Sequence, residues 1–363
     1  MSRNDVASSA ANDEVLLRVE NLQTLFRTPR GLVHAVDGVS FNLSEGETLG
    51  IVGESGSGKS VLARSIMNLL PRTAVVPETS RVRFGGRDIR HLSKEESKHF
   101  WGREIGMVFQ DPMTSLNPVK RIEAQITEPL RFHMGLSRRE ARERALGLLS
   151  RVGIPAPTKR LQQYPHELSG GMRQRITIAL ALACEPRLLI SDEPTTALDV
   201  TVQAQILDLL ADLRDERAMA GLFITHDLGV VGNQADRIGV MYAGQIVELA
   251  DAPTLFDQKA HPYTEALFRS IPQLDAPRTE RIDAIEGMPP DVVDPKAGCR
   301  FAPRCRYVQD VCRDVTPELR PVGDRHTVAC HFPLVDVEPA TSFGGPPTGV
   351  TVPPPTRGEG GAG

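Results

Sequence analysis

Thr48-Leu49-Gly50-Ile51-Val52-Gly53-Glu54-Ser55-Gly56-Ser57-Gly58-Lys59-Ser60 is the stretch whose reading decides the fold. An apolar run without polar alternation ends abruptly in G-x-x-x-x-G-K-S, and an apolar helical pattern from Val61 to Leu70 follows at once. A buried strand, a glycine-rich turn and a helix N-terminus in that order form an anion cradle. The glycines let the backbone curl until several N–H groups face one point, and the helix dipole adds to them. The pattern predicts that Gly53, Ser55, Gly56, Ser57, Gly58, Lys59, Ser60 and Val61 surround a nucleotide's phosphates. Lys59 reaches the β- and γ-phosphates and Ser60 binds Mg²⁺.

Four further apolar runs read as strands buried on both faces: Ile105 to Gln110, Arg187 to Pro194, Leu222 to His226 and Arg237 to Tyr242. Helical patterns separate them. Ser137-Arg138-Arg139-Glu140 has capping-box spacing and opens a helix carrying Leu146, Leu148 and Leu149. A second helix after Asp199 places Ile206, Leu209, Leu210 and Leu213 on one face. The alternation predicts an α/β core; with the phosphate loop and the family resemblance given below, the expected fold class is a P-loop NTPase (RecA-like) core. Short alternating stretches between Val15 and Glu47 predict a small antiparallel β subdomain at the N-terminal side, and residues 116–163 an inserted helical subdomain. The expected division is a flexible N-terminus at 1–14, an ATPase domain at 15–259, a cysteine-bearing extension at 260–335 and a tail at 336–363. Thirteen of the last 27 residues are Pro or Gly, so the tail is expected to be disordered.

The composition narrows the function. The chain has 363 residues, a net charge of −4 and 24% charged residues. That balance lacks the basic excess of a nucleic-acid binder, so no nucleic-acid partner is expected. No apolar run reaches the ~18 residues of a membrane span. The first fourteen residues lack the apolar core of a signal peptide, which points to a cytosolic protein.

Leu188-Leu189-Ile190-Ser191-Asp192-Glu193 is a buried strand ending in two carboxylates. Phosphoryl transfer needs one acid for the metal shell and one to polarise water. Asp192 suits the first role and Glu193 the second, with the two pointing to opposite sides of an extended chain. Leu168-Ser169-Gly170-Gly171 opens another helix and forms a second anion nest. One phosphate rarely needs two such nests. The simplest solution is a dimer in which Ser169, Gly170 and Gly171 of one chain close over nucleotide held by the other chain's phosphate loop.

With these motifs in order, the sequence resembles the ATP-binding subunit of an ABC transporter, whose signature motif is LSGG. The resemblance covers Val15 to about Ala250. It implies that Gln110 senses Mg²⁺ and faces the membrane partner, that Asp199 belongs to the D-loop, and that His226 contacts the γ-phosphate. It also implies that Glu193, His226, Lys59 and Gln110 carry catalysis and that Ser60, Gln110 and Asp192 hold Mg²⁺. Phe26 is the expected aromatic under adenine; a core phenylalanine is the alternative, and His34 competes for the role.

Phe109-Gln110-Asp111-Pro112-Met113-Thr114-Ser115-Leu116-Asn117-Pro118, His261-Pro262-Tyr263-Thr264-Glu265-Ala266-Leu267 and the segment around Cys299 and Cys305 are similar to dipeptide, oligopeptide and nickel importers. The resemblance implies ATP hydrolysis driving peptide import. The partners it implies are two membrane permease subunits, a second ATPase subunit (a sibling or this chain itself) and an extracytoplasmic peptide-binding protein. The chain would sit at the cytoplasmic face of the membrane. Nickel or another small solute is the alternative cargo; a soluble, non-transport ABC ATPase is the alternative class.

Cys299, Cys305, Cys312 and Cys330 fall within 32 residues, with 5, 6 and 17 residues between them. In a reducing compartment such clustering points to metal ligation. No pair has the close spacing usual at structural zinc, whereas a four-thiolate cluster tolerates irregular loops. The resemblance also implies a [4Fe–4S] cluster here. Zinc, with His326 or His331 substituting, and no metal are the alternatives. Cys184 reads as a small buried core residue.

Overall fold

The computed structural model describes residues 15–111, 115–195, 200–270 and 285–335. The expectations for residues 1–14, Pro112 to Thr114, Asp199 and the tail 336–363 lie outside the described residues.

The phosphate-loop strand is β3 (Thr48–Val52), the centre of an eight-stranded sheet. Its neighbours in the parallel part are β7 (Ile105–Val108), β8 (Leu188–Asp192), β9 (Ala220–Ile224) and β10 (Arg237–Tyr242), in the order β7-β8-β9-β3-β10. These strands are buried almost throughout, which explains why their sequences run apolar without alternation. Beyond β10, Ala243-Gly244 turns the chain into antiparallel β11 (Gln245–Asp251). The sheet then continues into residues far along the chain, with β13 (His326–Val328) on β11 and β12 (Arg320–Gly323) on β13. The rise in proline after Ala260 hid this addition.

The second sheet is antiparallel. Strands β1 (Val15–Thr28) and β2 (Gly31–Ser44) form one long hairpin instead of the short stretches expected. Polar residues interrupt the alternation at Glu20 and Asn21, but the register shifts between Val19 and Leu22 and Asn21 takes a left-handed φ of 47°. The bulge absorbs the mismatch and the strand runs on. Strands β4 (Ala74–Val75), β5 (Arg81–Phe84) and β6 (Arg87–Asp88) complete this sheet.

Helix α1 (Lys59–Ile66) lies behind the phosphate loop. It stops earlier than its apolar run predicts because Asn68 adopts a left-handed φ of 54°. The Leu69 N–H then bonds the Arg64 carbonyl at 2.8 Å and the Asn68 N–H the Ser65 carbonyl at 3.2 Å, a Schellman closure. Leu62 and Ile66 of α1 pack with Leu17 and Leu22 of β1 and Leu49 and Ile51 of β3, so one core joins the two sheets. Helix α2 (Lys94–Phe100) adds Phe100 to that core.

Helices α3 (Ile122–Met134), α4 (Arg138–Arg151), α5 (Pro157–Leu161), α6 (Gly170–Ala181) and α7 (Val200–Asp215) share a second core against β7 and β8, including Ile126, Leu149, Ile176, Leu189 and Ile206. The capping box expected at α4 is formed: Ser137 accepts from the Glu140 N–H at 3.3 Å, and Glu140 accepts from the Ser137 N–H at 2.8 Å. Cys184 is buried in this core, where desolvation pushes its thiol up to about 11.

A third core lies on the same face of the sheet as the second and opposite the first, under α8 (Leu228–Gln234), α9 (Ala252–Asp257) and α10 (Pro262–Arg269). Tyr242, Tyr263 and Phe301 pack here with ring centroids 4.4, 5.3 and 5.4 Å apart. Each such pair adds about 0.5–1.5 kcal/mol beyond burial, fastening the extension to the cassette. Buried Glu248 of β11 is a second fastening. It accepts from the N–H groups of Ala260 (2.7 Å) and His261 (2.8 Å) and pairs with His326 at 2.8 Å. The short helix α11 (Val311–Asp314) carries Cys312. No described helix is long and apolar enough to cross a membrane.

Candidate functional site

The phosphate loop curls as its glycines require. A Cβ on Gly53 would stand 2.1 Å from the Met241 carbonyl oxygen, and one on Gly58, at φ 103°, 2.1 Å from that of Ala35. No side chain fits at either place. Lys59, 4% exposed, donates to the Gly53 carbonyl at 2.8 Å and the Glu54 carbonyl at 3.0 Å. Burial lowers its pKa, and the carboxylates of Glu193, Asp192 and Glu54 oppose that shift. Ser55 and Gly56 are exposed on the loop, whereas Ser57 is buried, with an Oγ that has no partner among the described residues. Val61 is half-buried and packs into the core behind the loop.

Strands β3, β7, β8 and β9 deliver their polar residues to one edge of the sheet, because parallel strands share the direction of their carboxyl ends. From β8, the fully buried Asp192 accepts from Ser60 Oγ at 2.8 Å through Oδ1. Its Oδ2 has no partner among the described residues. Burial pushes this carboxyl up; Ser60 and Arg64 pull the other way. A buried carboxylate oxygen without a donor, beside a serine hydroxyl, is the donor set that a hard dication such as Mg²⁺ takes.

Glu193 departs from expectation. Two carboxylates on an extended chain should face opposite ways, but β8 ends at Asp192 and Glu193 adopts a left-handed φ of 45°. The turn brings both acids to the same site, a strained conformation of the kind that tertiary contacts must enforce. Here the Glu193 N–H bonds the Ile224 carbonyl at 2.9 Å. The Glu193 carboxylate accepts from Gln110 Nε2 at 3.0 Å and stands 3.3 Å from His226 Nδ1. Gln110 follows β7 and His226 follows β9, so the end of β8 lies between them.

The second nest stands apart from this group. Ser169 caps α6 by accepting from the Met172 N–H at 3.3 Å, and Ser169 and Gly170 are exposed. Among the described residues no hydrogen bond joins Ser169, Gly170 or Gly171 to the phosphate loop. Buried Gln174 of the same helix donates to the Pro194 carbonyl at 2.5 Å, tying α6 to the loop after Glu193. Phe26 lies half-buried on β1 opposite Val33 and Ala74, and stacks on no other ring among the described residues. His34 sits 3.4 Å from Asp37.

Cys299, Cys305, Cys312 and Cys330 line one cavity of about 20 Å³ together with His261, Phe301 and His331. They form no disulfide. Desolvation, reinforced by the neighbouring thiols, pushes Cys305 up to about 11 and Cys330 up to about 12, and raises Cys299. Among the described residues no three His, Cys, Asp or Glu groups converge closely enough to hold a metal ion. The four-thiolate centre expected from the sequence is thus not drawn together among the described residues. As a donor set, four sulfurs around one cavity still fit a thiophilic centre.

Sequence reading missed three residues at the rear of the phosphate loop: Glu54, Tyr263 and Arg304. Arg304 pairs with the Glu54 carboxylate, and the Glu54 N–H bonds the Tyr263 hydroxyl at 2.9 Å. Tyr263 and the cysteine segment stand out in the sequence as stretches, but nothing local says that they meet residue 54.

Comparison with known proteins places residues 36–196 in the family described as ABC transporter and residues 247–312 in that described as oligopeptide/dipeptide transporter, C-terminal region. The chain is 51% identical over 313 residues to the oligopeptide transport ATP-binding protein OppD of Bacillus subtilis, covering 86% of this chain and 87% of that protein. It is 47% identical over 321 residues to the dipeptide transport ATP-binding protein DppD of Escherichia coli, covering 88% and 98%. Among solved structures it is similar to the ATP-binding cassette MJ0796 in a dimeric post-hydrolysis state bound to ADP and Pi. That match has a TM-score of 0.59 and 29% identity, and covers 65% of this chain and 99% of that one.

Proposed function

This chain belongs to the ATP-binding subunits of oligopeptide/dipeptide ABC transporters and is the ATP-hydrolysing subunit of a peptide importer; from that premise we propose how its residues divide the work. ATP lies along the backbone of Gly53 to Ser60, with Lys59 turning from the loop carbonyls to the β- and γ-phosphates. Ser60, Gln110 and Asp192 would hold Mg²⁺, which neutralises phosphate charge when bound. Glu193 takes a proton from the attacking water, and His226 steadies the γ-phosphate. Phe26 stacks on adenine, and Asp199 serves the dimer contact.

Two cassettes close head to tail, each site completed by Ser169, Gly170 and Gly171 of the other. The second cassette is a sibling subunit or this chain itself. Closure moves the surface around Gln110 and residues 116–163 against two membrane permeases. The chain thus works at the cytoplasmic face of the membrane, with an extracytoplasmic binding protein supplying peptide. Cys299, Cys305, Cys312 and Cys330 are the residues that would hold a [4Fe–4S] cluster, which when bound would supply a structural staple to a segment with little aliphatic core. Their sharing of one cavity supports this.

The observation that carries the reading is the convergence of Lys59, Ser60, Gln110, Asp192, Glu193 and His226 at the ends of adjacent strands, in a chain whose residues 247–312 match the peptide-transporter region. The test is uptake of labelled di- and oligopeptides into vesicles carrying this chain with its permeases. ATP should drive uptake, and Glu193→Gln should cut turnover at least ~100-fold while nucleotide still binds. Normal turnover by that variant would remove Glu193 from its role. ATP-driven uptake of nickel but not peptide would reassign the cargo.

A further inference from the structure

Glu54 is the second residue of the phosphate loop, and an acid there is a liability. Its carboxylate stands in the loop that receives a polyphosphate, where like charge repels. The structure cancels that charge from behind. Arg304 donates to Glu54 Oε2 at 2.7 Å through Nη1 and to Oε1 at 2.9 Å through Nη2, a two-pronged pair. The other donors are engaged as well: Nε bonds the Glu286 carbonyl at 3.0 Å, Nη2 the Ile285 carbonyl at 3.1 Å and Nη1 the Tyr242 hydroxyl at 3.3 Å. All five N–H groups of the guanidinium have partners, and the side chain is 3% exposed. The main chain of Glu54 is held too: its N–H bonds Tyr263 Oη at 2.9 Å, and its carbonyl accepts from Lys59 Nζ at 3.0 Å.

A second arginine of the same segment grips the neighbouring turn. Arg300, 9% exposed, pairs with Asp37 and donates to the Ala243 carbonyl. The Gly244 N–H of that turn bonds the Ser57 carbonyl of the phosphate loop at 2.8 Å. The segment from Cys299 to Cys305 thus braces the loop at both ends.

We propose that Arg304 is a positioning residue of the ATP site: by pairing with Glu54 it neutralises the loop's own carboxylate and holds the loop in its anion-receiving shape, so nucleotide affinity depends on the cysteine-bearing extension. This rests on the reading that Gly53 to Ser60 bind ATP. Arg304 touches no nucleotide; it acts through Glu54.

The test compares ATP binding and steady-state hydrolysis of the full chain with Arg304→Gln, Glu54→Gln and the double variant. Arg304→Gln should raise the Kd and KM for ATP at least about tenfold with kcat little changed, because an uncompensated carboxylate then stands in the loop that receives the phosphates. In the Glu54→Gln background the same change should cost less than about twofold, a rescue that loss of packing would not give. Arg306→Gln, an exposed neighbour, should bind like the parent. An Arg304→Gln protein that binds ATP normally, or a double variant as weak as the single, would overturn the proposal. If Arg304→Gln fails to fold, the double variant decides alone: ATP binding within about threefold of the parent supports the proposal, and about tenfold weaker binding or failure to fold sinks it. Lys59→Ala serves as the reference. Unaltered ATP binding there would refute the phosphate-loop reading itself, whereas lost binding there with a normal Arg304→Gln would refute the Arg304 role alone.

Discussion

Asp192 shows how a single side chain can be built for a partner. Its carboxylate is fully buried and, among the described residues, accepts from Ser60 through Oδ1 and leaves Oδ2 without a bond. Burial raises its pKa, so the folded chain holds the ionised form at a cost that a dication offsets. Replacement by Asn should leave ATP binding in chelator unchanged but abolish the tightening that Mg²⁺ gives, with turnover down at least ~100-fold. Calorimetric titration with and without Mg²⁺ checks this; tightening of normal size in the variant would take Asp192 out of the metal shell. Glu193 teaches the complementary lesson. Its left-handed backbone is disfavoured locally, yet that turn lets one carboxylate reach both Gln110 and His226.

Among the elements, α10 depends on a titratable cap. His261 Nδ1 accepts from the Tyr263 N–H at 3.0 Å, and the ring is buried. Desolvation lowers its pKa to about 4, with Glu248 opposing. The unfolded chain takes up this proton near pH 6.5 and the folded chain only near 4, so the contribution to stability is full above 6.5 and is lost as pH falls through that window. His261→Asn keeps a cap acceptor and removes the titration. Thermal melts from pH 7 to 4.5 should therefore show a shallower decline for the variant than for the parent. Parallel curves would mean that His261 is not the group responsible. The stakes extend past one helix, since the rings of Tyr263, Tyr242 and Phe301 join α10 to the extension and to β10.

For the molecule as a unit, the separation of the two nests is the decisive feature. The phosphate loop and the Ser169 nest share no hydrogen bond within the described residues, and in the proposed arrangement each completes a site on the other chain. Gly170 gives a clean probe. A Cβ built there meets nothing within 4 Å, and its backbone is helical. Gly170→Asp should fold and melt like the parent and bind ATP to its own phosphate loop. Its carboxylate would face the partner's γ-phosphate, however, and prevent closure. In a Glu193→Gln background, ATP should turn the parent into a sandwich dimer on a sizing column and leave Gly170→Asp monomeric. ATP-dependent dimers of both proteins would refute the head-to-tail arrangement.

The features legible in the chain are those whose physics lies among near neighbours. The phosphate loop needs glycines at fixed offsets, the α4 cap needs a serine three residues before a glutamate, and strands buried on both faces need unbroken apolar runs. Even some local signals passed unread: Gly85-Gly86, with φ of 53° and 78°, is the tight turn joining β5 to β6. Other features had no local trace. The order of strands, the joining of β13 to β11, the left-handed turn at Glu193 and the grip of Arg304 on a carboxylate 250 residues away arise from pairings between remote segments. Such pairings depend on which surfaces bury one another once the chain has closed. Burial also sets whether a charge is cancelled or left facing the phosphates, so the residue types of the ATP site could be read in order along the chain, but the groups that hold them in place could not.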